Sequence, residues 1–376
     1  MNLLIAPDSF KGSLSAKEVA RAMERAAQSV LPSLKTYCIP FSDGGEGALD
    51  FLESHFTGDL QWVDTQNALG HPLRAPYYKM GSKAWIELSQ IAGLSQLSLE
   101  ERNPLLTSTY GVGILIKEAL NNGCDEIYLS IGGSATHDMG FGIFCGMGGL
   151  ALDATGNSFI PTGKTLGTVA SIDRDKISIP MKSGWLHVIC DVSNPPVGPQ
   201  GAATIFAPQK GATPEQCAIL EENSQQLIRI LQPLSNQPLA SLEGGGAAGG
   251  TAAGMVTLFN ASLQSGFETF YRWSGLEDLF QKSSLLLTGE GCLDHQSLLG
   301  KVPLSLAKKA HLYRVPTLVV CGQIQLDIKT LEACGVVGWK SLLEECESLE
   351  YAQKNAFEAI EKVTQKLLIS HFKIKK

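Results

Sequence analysis

Residues 2–30 of the chain are NLLIAPDSFKGSLSAKEVARAMERAAQSV, and this stretch decides the fold. Residues 2–6 are mainly apolar and short enough for one buried strand, which Pro7 ends. Ser15 and Glu18 then form an S-x-x-E capping box, the signature of a helix N-terminus. The apolar residues that follow lie at helical spacing: Val19, Ala20, Met23, Ala26, Ala27 and Val30. The opening unit is therefore a strand, a polar turn and a helix.

The same order, an apolar run followed by a polar turn that contains glycine, recurs along the chain. The further runs are residues 126–131, 285–287 and 318–320, and their turns begin at Gly132, Thr288 and Cys321. Apolar strands that alternate with helices predict a mainly parallel sheet with helices on both faces. Ligands of such sheets bind beyond the carboxyl ends of the strands, so we expect the site among these turns.

Other segments have a different character. Short β-like runs separated by glycine turns predict an antiparallel meander: residues 60–63, 72–78 and 84–88. Residues 349–367 carry one strongly periodic helical pattern, which should pack on the parallel sheet. We therefore expect an α/β protein of two lobes. Residues 1–65 and 281–376 would form a discontinuous Rossmann-like domain, residues 66–280 an inserted mixed α/β domain, and the active site would lie in the cleft between them.

The composition narrows the class of protein. A chain of 376 residues with 44% hydrophobic and 18% charged residues can bury a large core, and its length favours two domains. Its formal net charge of −7 argues against a nucleic-acid or membrane partner. The nine cysteines are scattered, without a C-x-x-C pair, which argues against a disulfide framework or zinc site. With neither a signal peptide pattern nor a long apolar run, we expect a cytoplasmic protein that binds small molecules, in an oligomeric state that the sequence leaves open.

Two early turns contain acidic residues, and the first also contains a cation. Asp8, Ser9 and Lys11 lie just before the first helix, whose free N–H groups favour anions. Asp43 and Glu46 flank a glycine turn that could direct carboxylates toward Mg²⁺ or bound hydroxyl groups. A plain Asp-Gly turn that caps a helix is the commoner use of such a loop.

A glycine-rich loop provides the strongest phosphate signal. Residues 244–250 are GGGAAGG, and a helix-like stretch begins at Thr251, so backbone N–H groups could approach a phosphate closely. Standard nucleotide signatures are missing. Residues 163–165 end like a Walker loop, but Ser158 stands where its first glycine belongs. A P-loop NTPase or a conventional NAD enzyme is therefore disfavoured.

Polar residues also gather after later strands. Asp191 follows the apolar run 186–190, with Asn194 in the proline turn behind it, and Lys210 lies in another turn. A dense polar segment before a helix contains Glu290, Asp294 and Lys301. Taken singly, each acid is more often structural than catalytic, but this many clusters favour an active site.

Eight segments of the chain match a known family in order. They are APDSFKGSLSA from Ala6, DGGEG from Asp43, TYGVG from Thr109, GGSAT from Gly132, CDVSNP from Cys190, PQKG from Pro208, GAAGG from Gly246 and TGEGCLDHQSLLGK from Thr288. From residue 3 to about residue 322 the chain thereby resembles the type I glycerate kinase family. His137 and Met139 depart from the Asn-Asp-Gly-Gly that the family favours, and Pro196 and Ala207 replace a usual Leu and Gly.

The resemblance implies an ATP-dependent transferase that phosphorylates a hydroxyl group of D-glycerate, with Mg²⁺ at the phosphates. It favours 2-phosphoglycerate as the product, and 3-phosphoglycerate is the other one-step product of the same substrate. A nucleotide-binding module or sensor without phosphoryl transfer is the alternative from another class. A dehydrogenase is a weaker third reading because the dinucleotide fingerprint is absent.

With this function in view, we predict roles for the candidate residues. Asp191 is the first choice and Asp294 the second for accepting the proton of the glycerate hydroxyl. The phosphoryl oxygens would be contacted by Lys11 and Lys301. Nucleotide or phosphate would be held by Ser9, Gly132, Gly133, Ser134, Thr136, Gly246, Gly249 and Gly250. Glycerate would be bound by Asp8, Asp43, Glu46, Arg102, Asn194 and Lys210. The metal would be held by Asp294 and Glu290.

Overall fold

The structure of the chain is a computed structural model that describes residues 1–10, 12–42, 44, 47–177, 184–346 and 348–374, with Gln296, Leu299 and Leu349 described by their backbone alone. Its strands are β1 (Asn2–Ile5), β2 (Lys35–Cys38), β3 (Asp59–Gln66), β4 (Pro72–Met80), β5 (Lys83–Glu87), β6 (Glu126–Ser130), β7 (Leu150–Leu152), β8 (Ser158–Phe159), β9 (Ser171–Asp173), β10 (Leu186–Ile189), β11 (Ser262–Gln264), β12 (Leu285–Leu293), β13 (Thr317–Ile324) and β14 (Val336–Ser341).

The helices are α1 (Ala16–Val30), α2 (Ala48–His55), α3 (Ser89–Ala92), α4 (Tyr110–Asn121), α5 (Phe141–Gly146), α6 (Ala202–Phe206), α7 (Pro214–Leu231), α8 (Ala247–Phe259), α9 (Gly266–Ser274), α10 (Leu276–Lys282), α11 (Val302–Leu312), α12 (Ile328–Ala333), α13 (Leu349–Lys354) and α14 (Ala356–Phe372). Short 3-10 helices lie at Leu94–Gln96, Leu166–Thr168, Pro208–Lys210, Gln232–Leu234, Leu239–Ser241 and His295–Leu299. Within the described ranges, none of the helices combines the length and apolar character needed to cross a membrane.

The chain divides into two compact units. Met1–Phe56 and Ser265–Lys376 form the first unit, and Thr57–Gln264 forms the second. The domain boundaries expected near residues 65 and 280 fall inside β3 and α10, and each of these elements stays whole within one unit. For β3 the reason is its pairing with β4 along its whole length, from Asp59 opposite Lys79 onward.

The first unit is built on a parallel sheet with the strand order β14-β13-β12-β1-β2. From β1 the chain continues outward to β2, whereas from β12 it continues in the opposite direction to β13 and β14. The reversal of strand order therefore falls between β1 and β12. Helices α1 and α14 cover one face through a shared core with β1, β12 and β13. The capping box of Ser15 and Glu18 is formed, and the predicted parallel sheet is confirmed.

Strand β12 is longer than the sequence predicts. The sequence predicts a turn from Thr288, but β12 continues to Leu293 because it pairs with β13 as far as Leu293 opposite Ile324. Strand β13 likewise continues past Cys321 to Ile324. The prediction that these strands end at residues 287 and 320 is wrong. Glu290 consequently lies on a strand and not in a turn.

The single helix predicted over residues 349–367 is also wrong, because the structure has two helices there. Asn355 separates α13 from α14 with a non-helical backbone, φ −117° and ψ 36°. Its side-chain amide donates a hydrogen bond to the carbonyl oxygen of Tyr351 at 3.0 Å, which caps the end of α13. The break allows the two helices to take different directions.

The second unit contains a mixed sheet with the strand order β11-β10-β6-β5-β4-β3. Strands β3, β4 and β5 form the predicted antiparallel meander, and β5, β6, β10 and β11 run parallel. A small antiparallel sheet has the order β8-β7-β9. Since β6 and β10 are parallel neighbours, the loop from Gly132 and the loop from Asp191 leave the sheet at the same edge.

A buried carboxylate organises the start of α5. Asp138 accepts hydrogen bonds from the backbone N–H groups of Thr109 (2.6 Å), Gly140 (3.1 Å) and Gly142 (3.1 Å). It also accepts bonds from the hydroxyl groups of Thr109 (2.8 Å) and Ser108 (3.2 Å). Burial raises the pKa of Asp138, although these bonds oppose the rise. The carboxylate thereby ties the start of α4 to the loop after β6, a role that the sequence analysis did not assign.

The core of the first unit gives a stability prediction. Leu287 is 0% exposed in the centre of the parallel sheet, whereas Leu312 at the end of α11 is 76% exposed. Leu287→Ala should lower the free energy of unfolding by about 2–5 kcal/mol, because it leaves a cavity in a packed core. Leu312→Ala, the matched control, should change it by less than about 0.5 kcal/mol. Calorimetric unfolding of both variants measures this, and equal effects would contradict the assigned core.

Candidate functional site

The first unit contains a cavity of about 280 Å³ at the point where the strand order reverses. Loops leave β1 and β12 in opposite directions there, which opens a crevice at the carboxyl ends of the strands. The cavity is lined by Asp8, Ser9, Phe10, Ser13, Glu290, Gly291, Cys292, Lys301, Gly322, Gln323, Leu342, Ala352, Gln353 and Ala356.

One end of this cavity is charged. The ammonium of Lys301 lies 3.8 Å from Asp294 Oδ1 and 4.0 Å from Glu290 Oε2. The hydroxyl of Ser297 donates to Glu290 Oε1 at 2.7 Å, and the Ser297 N–H donates to Asp294 Oδ1 at 3.2 Å. The segment from Glu290 to Lys301 therefore folds back on itself and gathers two carboxylates around one ammonium. Lys301 is also the N-cap residue of α11.

The turn after β1 supplies the other polar groups. Asp8 is buried, and its Oδ1 accepts a hydrogen bond from the Ser9 N–H at 2.7 Å. Ser9 is only 5% exposed, and its hydroxyl has no hydrogen-bond partner among the described residues. A buried hydroxyl without a partner costs free energy, so its place in a cavity wall indicates a hydrogen bond to a ligand.

The carboxylates near Lys301 fit a magnesium ion. Mg²⁺ prefers oxygen ligands and usually takes one or two protein carboxylates together with substrate phosphates. Glu290 and Asp294 supply two carboxylates that approach the same ammonium. Across the residues that the structure describes, no group of three or more His, Cys, Asp and Glu side chains could hold a metal. An ion here would thus need oxygens from a bound phosphate.

A second cavity, of about 180 Å³, lies within the second unit at the carboxyl ends of β6 and β10. It is lined by Ile131, Gly132, Gly133, Ser134, Cys190, Asp191, Val192, Phe206, Gln209, Lys210, Ala247 and Ala248. Four of the motifs identified in the sequence therefore contribute to one cavity: GGSAT, CDVSNP, PQKG and GAAGG. Asp191 is exposed at the end of β10.

Lys210 is the unusual group of this cavity. It is 2% exposed, and its ammonium donates to the Ser134 hydroxyl at 2.8 Å and the Thr136 carbonyl at 2.7 Å. In the described part of the chain, no carboxylate lies within 4 Å of it. Burial lowers the pKa of Lys210 to about 7, and the charge of Asp138 partly opposes this. A buried cation without a counter-ion at a cavity wall is suited to binding an anion.

The glycine-rich loop before α8 has an uncommon backbone. Ala248, Gly249 and Gly250 have successive left-handed φ angles of 52°, 67° and 84°, so the regular helix begins after them. A Cβ atom on Gly249 would clash with the carbonyl oxygen of Thr136. Gly246 similarly lies against the carbonyl oxygen of Pro195. These glycines allow close packing of the loop, and the alanines beside them line the cavity.

The two departures from the family pattern after GGSAT are both buried. Met139 keeps a left-handed backbone, φ 48°, where the family favours glycine. A Cβ on Gly250 would lie 2.6 Å from Met139 Cγ, so the methionine side chain occupies the space beside that glycine. His137 Nε2 lies 3.0 Å from the Ser224 hydroxyl, and burial lowers the pKa of His137 to about 3. The imidazole is therefore neutral at physiological pH.

The structure does not support a ligand contact for every residue that the sequence predicts to be in the site. The Asn194 amide donates to the Gln200 carbonyl at 2.9 Å and so holds its own loop. Arg102 donates to the Leu94 carbonyl at 3.2 Å, and it is not among the described residues that line the two cavities. Three predicted residues lie outside the described part of the chain: Lys11, Asp43 and Glu46.

The sequence analysis missed one wall of the first cavity. Leu342, Ala352, Gln353 and Ala356 line it, and all come from the last forty residues or so, where we assigned only a packing helix. A signal was present in retrospect. Positions 352 and 356 of the apolar stripe are alanines, whose single methyl groups leave more room beside the helix than Leu, Ile, Val or Phe would.

Comparisons with known proteins agree over the whole length. The family description "Glycerate kinase family" matches residues 3–371. A glycerate kinase from Bacillus subtilis (strain 168) is 36% identical over 372 residues, which is 98% of this chain and 97% of the relative. A glycerate 2-kinase from Escherichia coli (strain K12) is 34% identical over 362 residues, 96% of this chain and 95% of the relative.

A solved structure also matches this chain over almost its whole length. The crystal structure of a protein assigned as glycerate kinase 2 from Salmonella typhimurium LT2 matches with a TM-score of 0.85 at 34% identity. The match covers 99% of this chain and 98% of that protein, so it includes both units. The chain therefore belongs to the glycerate kinase family.

Proposed function

We propose that this protein transfers the γ-phosphoryl group of ATP to a hydroxyl group of D-glycerate and releases 2-phosphoglycerate and ADP. Its family supports the reaction class. The observation that carries the proposal is Lys210, a buried ammonium with no described carboxylate within 4 Å, in a small cavity that Asp191 also lines. A small anion with a reacting hydroxyl group fits both features.

In this proposal, glycerate binds in the second cavity. Its carboxylate supplies the counter-charge for Lys210, whose position is fixed by Ser134 and Thr136. Asp191 accepts the proton of the hydroxyl group that attacks phosphorus. A carboxylate is too weak a base to ionise an alcohol in advance, so the proton is transferred late, which a loose transition state allows.

The phosphates of ATP are assigned to the charged end of the first cavity. Lys301 contacts phosphoryl oxygens there, and the unpartnered hydroxyl of Ser9 donates a hydrogen bond to another. Glu290 and Asp294 are the residues that would hold Mg²⁺, which neutralises charge on the phosphates when it is bound. Phosphoryl transfer depends mostly on such positioning and charge neutralisation. A lysine, a hydroxyl group and two carboxylates for Mg²⁺ are the kinds of groups that this reaction requires.

The alternative function is a nucleotide-binding module without phosphoryl transfer. Two separate polar cavities favour the enzyme, because a module that only binds a nucleotide needs one. Asp191 adds to this preference, since a carboxylate in a cavity that only has to hold an anion weakens binding unless it takes part in a reaction.

A coupled assay with phosphorus NMR tests the reaction. ATP and D-glycerate should give ADP and the phosphorus signal of 2-phosphoglycerate, since the family resemblance favours that product. A 3-phosphoglycerate signal would refute the proposed position of attack. ATP binding without ADP release across small hydroxy acids would instead support the binding module.

Substitutions separate the proposed roles of the two aspartates. Asp191→Asn should lower turnover by about 10² to 10⁴, the usual loss of a positioned general base, with ATP affinity little changed. Asp294→Asn should instead raise the Mg²⁺ concentration needed for half-maximal turnover. Asp175→Asn on the surface is the control. Turnover and Mg²⁺ titrations measure this, and a metal-dependent defect in Asp191→Asn would exchange the roles.

Glycerate affinity should depend on pH through Lys210. Below its pKa of about 7 the ammonium is charged and attracts the carboxylate, and above it a growing fraction is neutral. The dissociation constant should therefore be flat below pH 7 and rise by up to about tenfold per pH unit above it. Calorimetric titration of D-glycerate measures this.

Two variants provide the controls for this titration. Lys210→Met should bind D-glycerate weakly at every pH and lose the dependence, because no proton is exchanged at that position. Lys164→Met removes an exposed lysine and should retain the wild-type profile. An unchanged wild-type affinity from about pH 6 to about pH 8.5 would exclude Lys210 as the carboxylate partner.

A further inference from the structure

The first cavity extends across three neighbouring strands, from Glu290 on β12 past β13 to Leu342, which directly follows β14, so its charged end and its apolar end are separated by one strand. Its charged end contains Asp8, Glu290 and Lys301, but its wall also includes Leu342 and Ala352, which are 2% and 4% exposed. A ligand that fills such a cavity needs an anionic part and an apolar part. Small-molecule sites commonly combine apolar walls with a few placed polar groups in this way.

The shape of the apolar end comes from the break between α13 and α14. Ala352 lies in α13, Ala356 begins α14, and Asn355 separates them with its non-helical backbone. Both alanines line the cavity and extend only one methyl group into it. Leu342, directly after β14, adds a branched apolar side chain. A flat ring can pack against such a surface.

Two amides lie along the same cavity. Gln353 and Gln323 both line it, and both side chains are exposed in the structure. A glutamine amide offers donors and an acceptor together. This combination matches the edge of adenine, which presents an amine donor beside a ring-nitrogen acceptor.

The position of the cavity favours a nucleotide over another amphipathic ligand. It lies where the strand order of a parallel sheet reverses, which is where such sheets bind their ligands. Lys301 at the N-terminus of α11 and the unpartnered, buried hydroxyl of Ser9 are both suited to phosphate oxygens. The phosphates then occupy the charged end and leave the apolar end for the base.

We propose that Leu342, Ala352 and Ala356 form the nucleobase subsite of this kinase and that the amide of Gln353 recognises the edge of the base. This rests on the proposed function, in which the first cavity binds ATP. It adds a role for Leu342, Ala352, Gln353 and Ala356, namely the choice of nucleotide.

Binding measurements test this subsite separately from catalysis. Dissociation constants for ATP, UTP and inorganic triphosphate are measured by calorimetry without glycerate. Ala352→Leu fills the apolar end and should weaken ATP by about tenfold or more, about 1.4 kcal/mol, with triphosphate changed less than about twofold. Gln353→Ala should weaken ATP severalfold and reduce its preference over UTP. Lys354→Ala, the neighbouring control, should change neither.

The results that would contradict the nucleobase subsite differ from those that would contradict the proposed function. Unchanged ATP affinity in Gln353→Ala and Ala352→Leu would overturn the subsite, and so would equal weakening of ATP and triphosphate. Gln353 is exposed, so its variant remains informative if the buried Ala352 tolerates no larger side chain. Failure of the proposed function appears elsewhere, as wild-type protein that binds ATP but releases no ADP with D-glycerate.

Discussion

The pairing of β1 with β12 is the constraint on which the first unit depends. Leu3, Leu4 and Ile5 lie beside Leu285, Leu286 and Leu287 in parallel register, so the two ends of the chain form one sheet. The strand order reverses at this pair, and the reversal opens the first cavity between the loops that leave it. Asp8 reaches that cavity because it lies in the turn after β1, and Glu290 reaches it because it lies on the part of β12 that extends beyond this pairing. The fold and the candidate nucleotide site therefore share one cause.

The second unit holds its polar loops with buried charge. Asp138 gathers five donors at the start of α5, and Lys210 binds Ser134 and Thr136 on the loop just before it. Removing both groups from water is costly unless hydrogen bonds compensate. Asp138 obtains its compensation within the protein. Lys210 obtains only part of it, and a bound anion would supply the rest.

Patterns among neighbouring residues in the sequence correctly predicted several elements of the fold. The capping box of α1, the parallel strands and the meander all follow from spacing within about fifteen residues. The local pattern gave the wrong end for β12, because Gly289 suggested a turn. Gly289 is instead needed for a tertiary contact, since a Cβ there would clash with the Val320 carbonyl on β13.

The sequence motifs also identified most of the candidate site residues, but they did not show which of these residues lie together in the folded protein. Lys210 meets Ser134 across 76 positions, and Asp138 meets Thr109 across 29.

The interrupted sequence of the first unit has a consequence for synthesis. Residues 1–56 leave the ribosome without β12, β13, β14 or α14, which supply most of their packing partners. Thr57–Gln264 is continuous and contains its own sheet and core, so it can fold while the rest is still being translated. Until then β1 can pair only with β2, and the apolar faces of β1 and α1 that β12 and α14 cover in the native protein stay exposed to chaperones and to other nascent chains. Residues 1–56 are thus synthesised before residues 57–264 but reach their native structure after them.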